Sequence, residues 1–155
     1  MPVRLPGQEQ GTFSAVAYIE NANVNAGVQK APYRFKLYDL NNVLVAEVEG
    51  VMAIMPGTVT PVFEGGINTG HRSATRAFFE FTAPLVWERL FDATEPITVP
   101  TKEVVNADKE PRLNAVVQNN SVIDLRDVQF VATVFDTAGN AYAGSATEVS
   151  FLERG

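Results

Sequence analysis

Tyr33-Arg34-Phe35-Lys36-Leu37-Tyr38-Asp39 places an apolar residue at positions 33, 35 and 37 and a base at each position between. A period of two belongs to a β-strand, whose successive side chains point to opposite faces. Tyr33, Phe35 and Leu37 are therefore expected in a core, with Arg34 and Lys36 toward water. Asp39-Leu40-Asn41-Asn42 follows. Asp and Asn tolerate tight-turn dihedrals and bond their own backbone, so the chain should reverse here. Val43 to Val48 resumes the strand pattern and completes a predicted hairpin.

The same pattern returns near the other end. Phe130-Val131-Ala132-Thr133-Val134-Phe135-Asp136 keeps the in–out phase. Tyr33, Phe35 and Leu37 map onto Phe130, Ala132 and Val134; Tyr38 maps onto Phe135 and Asp39 onto Asp136. A turn, Asp136-Thr137-Ala138-Gly139-Asn140, and a short strand, Ala141 to Ala143, come next. Upstream, Phe13-Ser14-Ala15-Val16-Ala17-Tyr18-Ile19-Glu20-Asn21 matches Pro111-Arg112-Leu113-Asn114-Ala115-Val116-Val117-Gln118-Asn119. Phe13, Ala15, Ala17 and Ile19 share one face; Pro111, Leu113, Ala115 and Val117 share its counterpart. A repeat of this kind indicates one supersecondary unit used twice.

Gly57 to Glu64 and Ala74 to Thr82 are further strand-like runs in the first copy. In the second of these, Thr75, Ala77, Phe79 and Phe81 are predicted to face the core, with Arg76 and Glu80 outward. Gly65 to Arg72, with three glycines, reads as a loop. Leu85 to Asp92 is short and lies between Pro84 and Pro96, so irregular or strand structure is favoured over helix. Many short strands separated by Gly- and Pro-rich turns predict an all-β chain. The expected organisation is two tandem β-sandwich modules, residues 1–92 and 93–155.

Composition excludes several functions. Net charge is −6 and the basic residues form no run, so nothing favours nucleic acid or an anionic membrane surface. With no cysteine, disulfides, thiolate metal sites and Cys nucleophiles are out. The first ten residues hold no apolar leader segment, and no apolar run reaches the roughly 20 residues a membrane helix needs. Membrane attachment is expected only through an anchor outside this segment.

Phe35-Lys36-Leu37-Tyr38-Asp39 matches Phe-x-Leu-Tyr-Asp, and Asn21 ends the strand upstream of it. In these features the chain resembles the bacterial FxLYD domains. The second copy is a degenerate version, with Ala132-Thr133-Val134-Phe135-Asp136 in the motif position. The resemblance implies immunoglobulin- or fibronectin-like modules. It also implies an extracytoplasmic or cell-surface bacterial protein, often anchored by a lipoprotein signal or membrane helix. It brings no catalytic residues.

The second module looks incomplete, because little sequence after Asp136 is left to match Gly57 to Glu64 and Ala74 to Thr82. Three readings follow: a fragment cut within a domain, missing strands supplied by Leu85 to Val105, or strand pairing with a neighbouring chain in a dimer or filament.

Candidate chemistry is sparse. His71 is the one histidine. Ser73 with Asp92 or Asp39 could nominally complete a triad, but no Gly-x-Ser-x-Gly elbow supports it. The carboxylates (Glu20, Glu47, Glu49, Glu64, Glu80, Glu88, Asp92, Glu95) are spread along strand faces rather than paired for glycoside hydrolysis. Asp39, Asn41 and Asn42, or Asp136 and Asn140, offer oxygens to calcium, yet turn chemistry accounts for both clusters. No cofactor or catalytic residue is expected. The candidate interaction residues are Tyr38 and Phe135, pointing away from the core face, Trp87 as a wedge between modules, and the loop pair His71 and Arg72. The expected partner is another protein, or a second copy, met through sheet edges. An accessory domain of an enzyme, carbohydrate-active or otherwise, is the remaining alternative.

Overall fold

The computed structural model describes residues 2–3, 11–90, 97–107, 111–139 and 141–155. Among them there is no helix; the chain is all-β, sandwich-like and antiparallel throughout its ladders. Its strands are β1 (Pro2–Val3), β2 (Thr12–Glu20), β3 (Ala26–Tyr38), β4 (Leu44–Ile54), β5 (Val59–Asn68), β6 (Arg76–Phe81), β7 (Glu88–Arg89), β8 (Ile97–Val105), β9 (Arg112–Asn119), β10 (Leu125–Phe135) and β11 (Ala141–Leu152).

The first copy forms two sheets. One runs β1-β2-β5; the other runs β4-β3-β6, with β7 pairing the start of β3. Their inner faces meet in one cluster: Phe13 and Ala15 from β2, Tyr33, Phe35 and Leu37 from β3, Val62 and Ile67 from β5, and Ala74 before β6. Ala77, Phe79 and Phe81 close the cluster from β6. Their aromatic rings interlock: Phe79 lies 5.2 Å from Phe35 edge-on and 5.4 Å from Tyr33 in a stack, geometries that suit the ring quadrupole. The period-two reading of β2, β3 and β6 therefore holds, except that Thr75 is exposed and precedes the strand.

Several boundaries differ from expectation. β4 extends to Ile54 and β5 to Asn68. The glycines at 65 and 66 do not open a loop; they make a bulge within β5, where the pairing shifts between Phe13/Ala15 and Gly66 takes φ 68°. A bulge holds one extra residue while the ladder continues. The true turn is Thr69–Arg72, tied by Thr69 N–H to Gly11 O at 2.7 Å. β11 is far longer than Ala141 to Ala143 and pairs with β10 along its whole length. Leu85 to Arg89 holds no helix, only the short β7; Phe91 and Asp92 lie outside the described residues, as does Glu95.

The second copy is two hairpins, β8-β9 and β10-β11. β8 falls within the Leu85 to Val105 stretch, so β9 gains a partner from the N-terminal side. It runs along β9 from Ile97↔Asn119 to Val105↔Arg112, nearly as far as β5 runs along β2.

Hydrogen bonds repeat between the copies more faithfully than sequence does. Asn21 Nδ2 donates to Ala26 O (2.8 Å) and Met55 O (3.0 Å), and its Oδ1 accepts the Asn23 N–H (3.0 Å). Asn119 Nδ2 donates to Ile123 O (2.9 Å) and Leu152 O (3.2 Å), and its Oδ1 accepts the Ser121 N–H (3.0 Å). Both asparagines are buried. A single amide thus braces each β-turn to the far end of the following hairpin, which is how a buried polar side chain is normally tolerated.

The copies also touch. The tip of the β10–β11 hairpin lies on the outer face of the β2–β5 sheet. Phe63 stands on that face opposite Val16 in the ladder. A Cβ added at Gly144 would come within 3.1 Å of the Phe63 ring, so a larger residue fits there only if that ring shifts by a few tenths of an ångström. Tyr18 and Phe135 lie beside it with ring centroids 6.2 Å apart.

Candidate functional site

The two Asx turns hold their carboxylates for the backbone. Asp39 Oδ1 accepts from the Asn41 and Val43 N–H groups, each at 2.9 Å, and Asp136 Oδ1 accepts from the Ala138 N–H at 2.9 Å. Among the described residues no group of three His, Cys, Asp or Glu is placed to hold a metal ion. Turn closure accounts for Asp39 and Asp136; Asn140 lies outside the described residues.

The five candidate interaction residues sit on separate elements. Tyr38, at the end of β3, is half-buried in the wall of an open groove of about 680 Å³. Phe135 ends β10 at the contact with Tyr18. Trp87 is 47% exposed, just before β7. His71 and Arg72 are exposed in the turn after β5, where the Arg72 carbonyl accepts the Thr69 hydroxyl at 2.5 Å.

Beside Tyr38 the groove presents Phe78, which is 64% exposed. Sequence reading overlooked it, although adjacent phenylalanines on one strand oblige one ring to face outward. The charges around the groove are already engaged. Lys36 Nζ lies 2.6 Å from Glu80 and Arg76 Nη2 donates to Asn42 Oδ1 at 2.5 Å. Arg34 pairs with Glu49 and lies 3.8 Å from Glu80. The Glu80 hydrogen bond raises the Lys36 pKa, and Lys36 in turn lowers that of Glu80. These pairs are exposed and hold little energy, yet they leave the groove without a concentrated field to select an ionic ligand.

The second copy offers a different surface. β3 is hydrogen-bonded on both edges, to β4 and to β6. Its counterpart β10 is paired with β11 alone among the described residues. Tyr33, Phe35 and Leu37 face Phe81, Phe79 and Ala77 of β6. The matching positions on β10 are Phe130, Ala132 and Val134, half-buried where Phe35 and Leu37 are fully enclosed. Leu113, Val104 and Phe151 are about two-fifths exposed, and Val116 more so.

Composition separates this edge from the others. Val128-Gln129-Phe130-Val131-Ala132-Thr133-Val134-Phe135 contains neither charge nor proline. The outer strands of the first copy carry charges, Glu47 and Glu49 on β4 and Arg76 and Glu80 on β6. Exposed edges are ordinarily guarded by charge, proline or shortness, because an unguarded edge templates further pairing. β10 carries Arg126 and Asp127 at its start, but the eight residues from Val128 to Phe135 are unguarded. No protein-family model matches the chain, and neither a curated protein nor a solved structure matches it.

Proposed function

We propose that this protein is a non-catalytic structural and protein-interaction module. Its two units, residues 1–92 and 93–155, are tandem immunoglobulin- or fibronectin-like β-sandwiches of the FxLYD type. The second unit accepts an extended segment of another polypeptide along β10. The observation that carries this reading is the contrast between equivalent strands: β3 is closed on its second edge by β6, and β10, uncharged from Val128 to Phe135, has no such neighbour among the described residues. Strand addition suits such an edge, since main-chain hydrogen bonds supply affinity and alternate side chains supply selectivity. The motif Phe35 to Asp39 supports a cell-surface setting, with any membrane attachment outside this segment.

Hydrogen exchange on the full chain tests the reading. The probe is a synthetic peptide with the sequence of residues 75–82, Thr-Arg-Ala-Phe-Phe-Glu-Phe-Thr, which carries the natural β6 strand. It should slow amide exchange in residues 128–135, and the same peptide N-methylated on alternate residues should not. Equal exchange with and without the unmodified peptide would refute strand acceptance. Protection that rises with protein concentration alone would identify the accepted segment as part of a second copy.

A further inference from the structure

On that reading, we infer that the accepted strand carries a large aromatic residue at its centre, flanked two positions away by apolar residues, and that Ala132 and Ser145 form the seat for its ring. In the first copy the centre of the β3–β6 contact is Phe35, fully buried, with Val48 beside it on β4 and Phe79 opposite it on β6. The corresponding cross-strand pair in the second copy is Ala132 and Ser145. Two bulky side chains are replaced by two small ones on the face that corresponds to the first copy's core. Their neighbours stay large or apolar: Phe130 opposite Thr147 on one side, Val134 opposite the buried Ala143 on the other.

A strand laid along β10 as β6 lies along β3 sets its central residue opposite Ala132. A residue of the size of Phe79 would there face the space that the Phe35 ring fills in the first copy. Ala132 is half-buried and Ser145 exposed, so two small side chains leave contacts unmade on this face and a larger ring laid over them regains some. Ser145 is exposed and brings a hydroxyl where Val48 has a methyl group. A ring with a polar edge, indole or phenol, therefore suits the seat at least as well as a phenyl ring. The substitution that makes the second motif degenerate, Phe35 to Ala132, thus becomes the feature that selects the partner.

Fluorescein-labelled peptides of residues 75–82, titrated against the full chain and read by anisotropy, test this. Replacing the central ring (Phe79→Ala in the peptide) should weaken binding about tenfold or more, the scale expected for losing one buried aromatic side chain. Phe79→Trp should bind at least as tightly as the parent peptide. In the Ala132→Phe protein, which restores the first copy's arrangement, the preference for a large ring should disappear. Binding of all three peptides within about twofold would overturn the aromatic seat while leaving strand acceptance standing. An unchanged preference in Ala132→Phe would also overturn it, by placing the ring elsewhere. Binding of none of the peptides would refute strand acceptance itself.

Discussion

Asn21 and Asn119 make the same bonds and are equally buried, but only Asn21 adjoins a packed apolar cluster, so replacing each with alanine separates the two copies energetically. Asn21→Ala removes two donated hydrogen bonds, to Ala26 O and Met55 O, and one accepted from the Asn23 N–H. The amide is buried and adjoins β3 and β4 where Val28 and Ile54 are 1% and 2% exposed. Each bond contributes about 1 kcal/mol net, and a backbone group left unpaired away from water costs about 1–3 kcal/mol. A total near 3 kcal/mol follows, on the order of 6–12 °C of melting temperature in a chain this size. Asn119→Ala deletes the matching bonds of an equally buried amide, but Ile123 is 60% exposed and, among the described residues, no buried apolar cluster includes the site. The local cost should be similar, about 3 kcal/mol, but it should appear as lost exchange protection in residues 112–119 and 152–155 while the main transition, set by the first copy's core, moves little. Thermal unfolding followed by circular dichroism, with exchange read by mass spectrometry, measures both. If Asn119→Ala lowered the main transition as far as Asn21→Ala does, the copies would be melting as one body and the argument for an open second unit would fail. A cost below about 1 kcal/mol for Asn21→Ala would refute the bracing role itself.

Two further outcomes are expected. Tyr33 donates its hydroxyl to Glu64 Oε1 at 2.7 Å, and burial, followed by that carboxylate, pushes its pKa above the ordinary 10.0. Its contribution is complete below pH 10 and fades as pH rises further, because the unfolded phenol ionises while the folded one keeps its proton; the slope approaches about 1.4 kcal/mol per pH unit. Chemical denaturation between pH 9 and 11.5 should show this decline in the wild type and a shallower one in Tyr33→Phe. At the contact between the copies, Gly144→Val sets methyl groups into the Phe63 ring. It should loosen the hairpin tip and accelerate exchange at Ala143 and Gly144, with the core of the first copy unchanged. Unaltered exchange there would mean that Phe63 yields freely.

The hydrophobic period made the first copy legible. Phe13, Ala15, Phe35, Leu37 and Phe79 occupy the positions that alternation assigns, because a sheet with one buried face tolerates no register error. Elements without such a period were harder to read. Gly65 and Gly66 resemble a loop by composition, yet their conformational freedom serves a bulge inside a continuous ladder. Glycine reports the backbone angle a position needs and not whether pairing stops there. β11 was underestimated because Ala143, Gly144, Ser145 and Ala146 carry little strand propensity; the ladder with β10 holds them extended.

The open edge was legible only through comparison of the copies. Taken alone, Val128 to Phe135 is an ordinary β-rich run. Beside Tyr33 to Tyr38 it lacks the bases at 34 and 36, which in the first copy meet Glu49 and Glu80. Those bases sit on the outer face of a strand already covered on both edges, where they pair with carboxylates of β4 and β6. The matching positions on β10 are Val131 and Thr133. They belong to the face that meets the first copy, where Thr133 stands opposite Gly144, itself beneath the Phe63 ring. Charges there would lose part of their hydration against an aromatic ring, a cost that neutral side chains avoid. The same exchange that lets the second copy dock on the first leaves residues 128–135 without the charges that would deter an incoming strand. Docking between the copies and the openness of the edge therefore have a common cause. A lysine introduced at residue 131 or 133 should impair both together, whereas one at the exposed Ser145 should leave the docking contact intact.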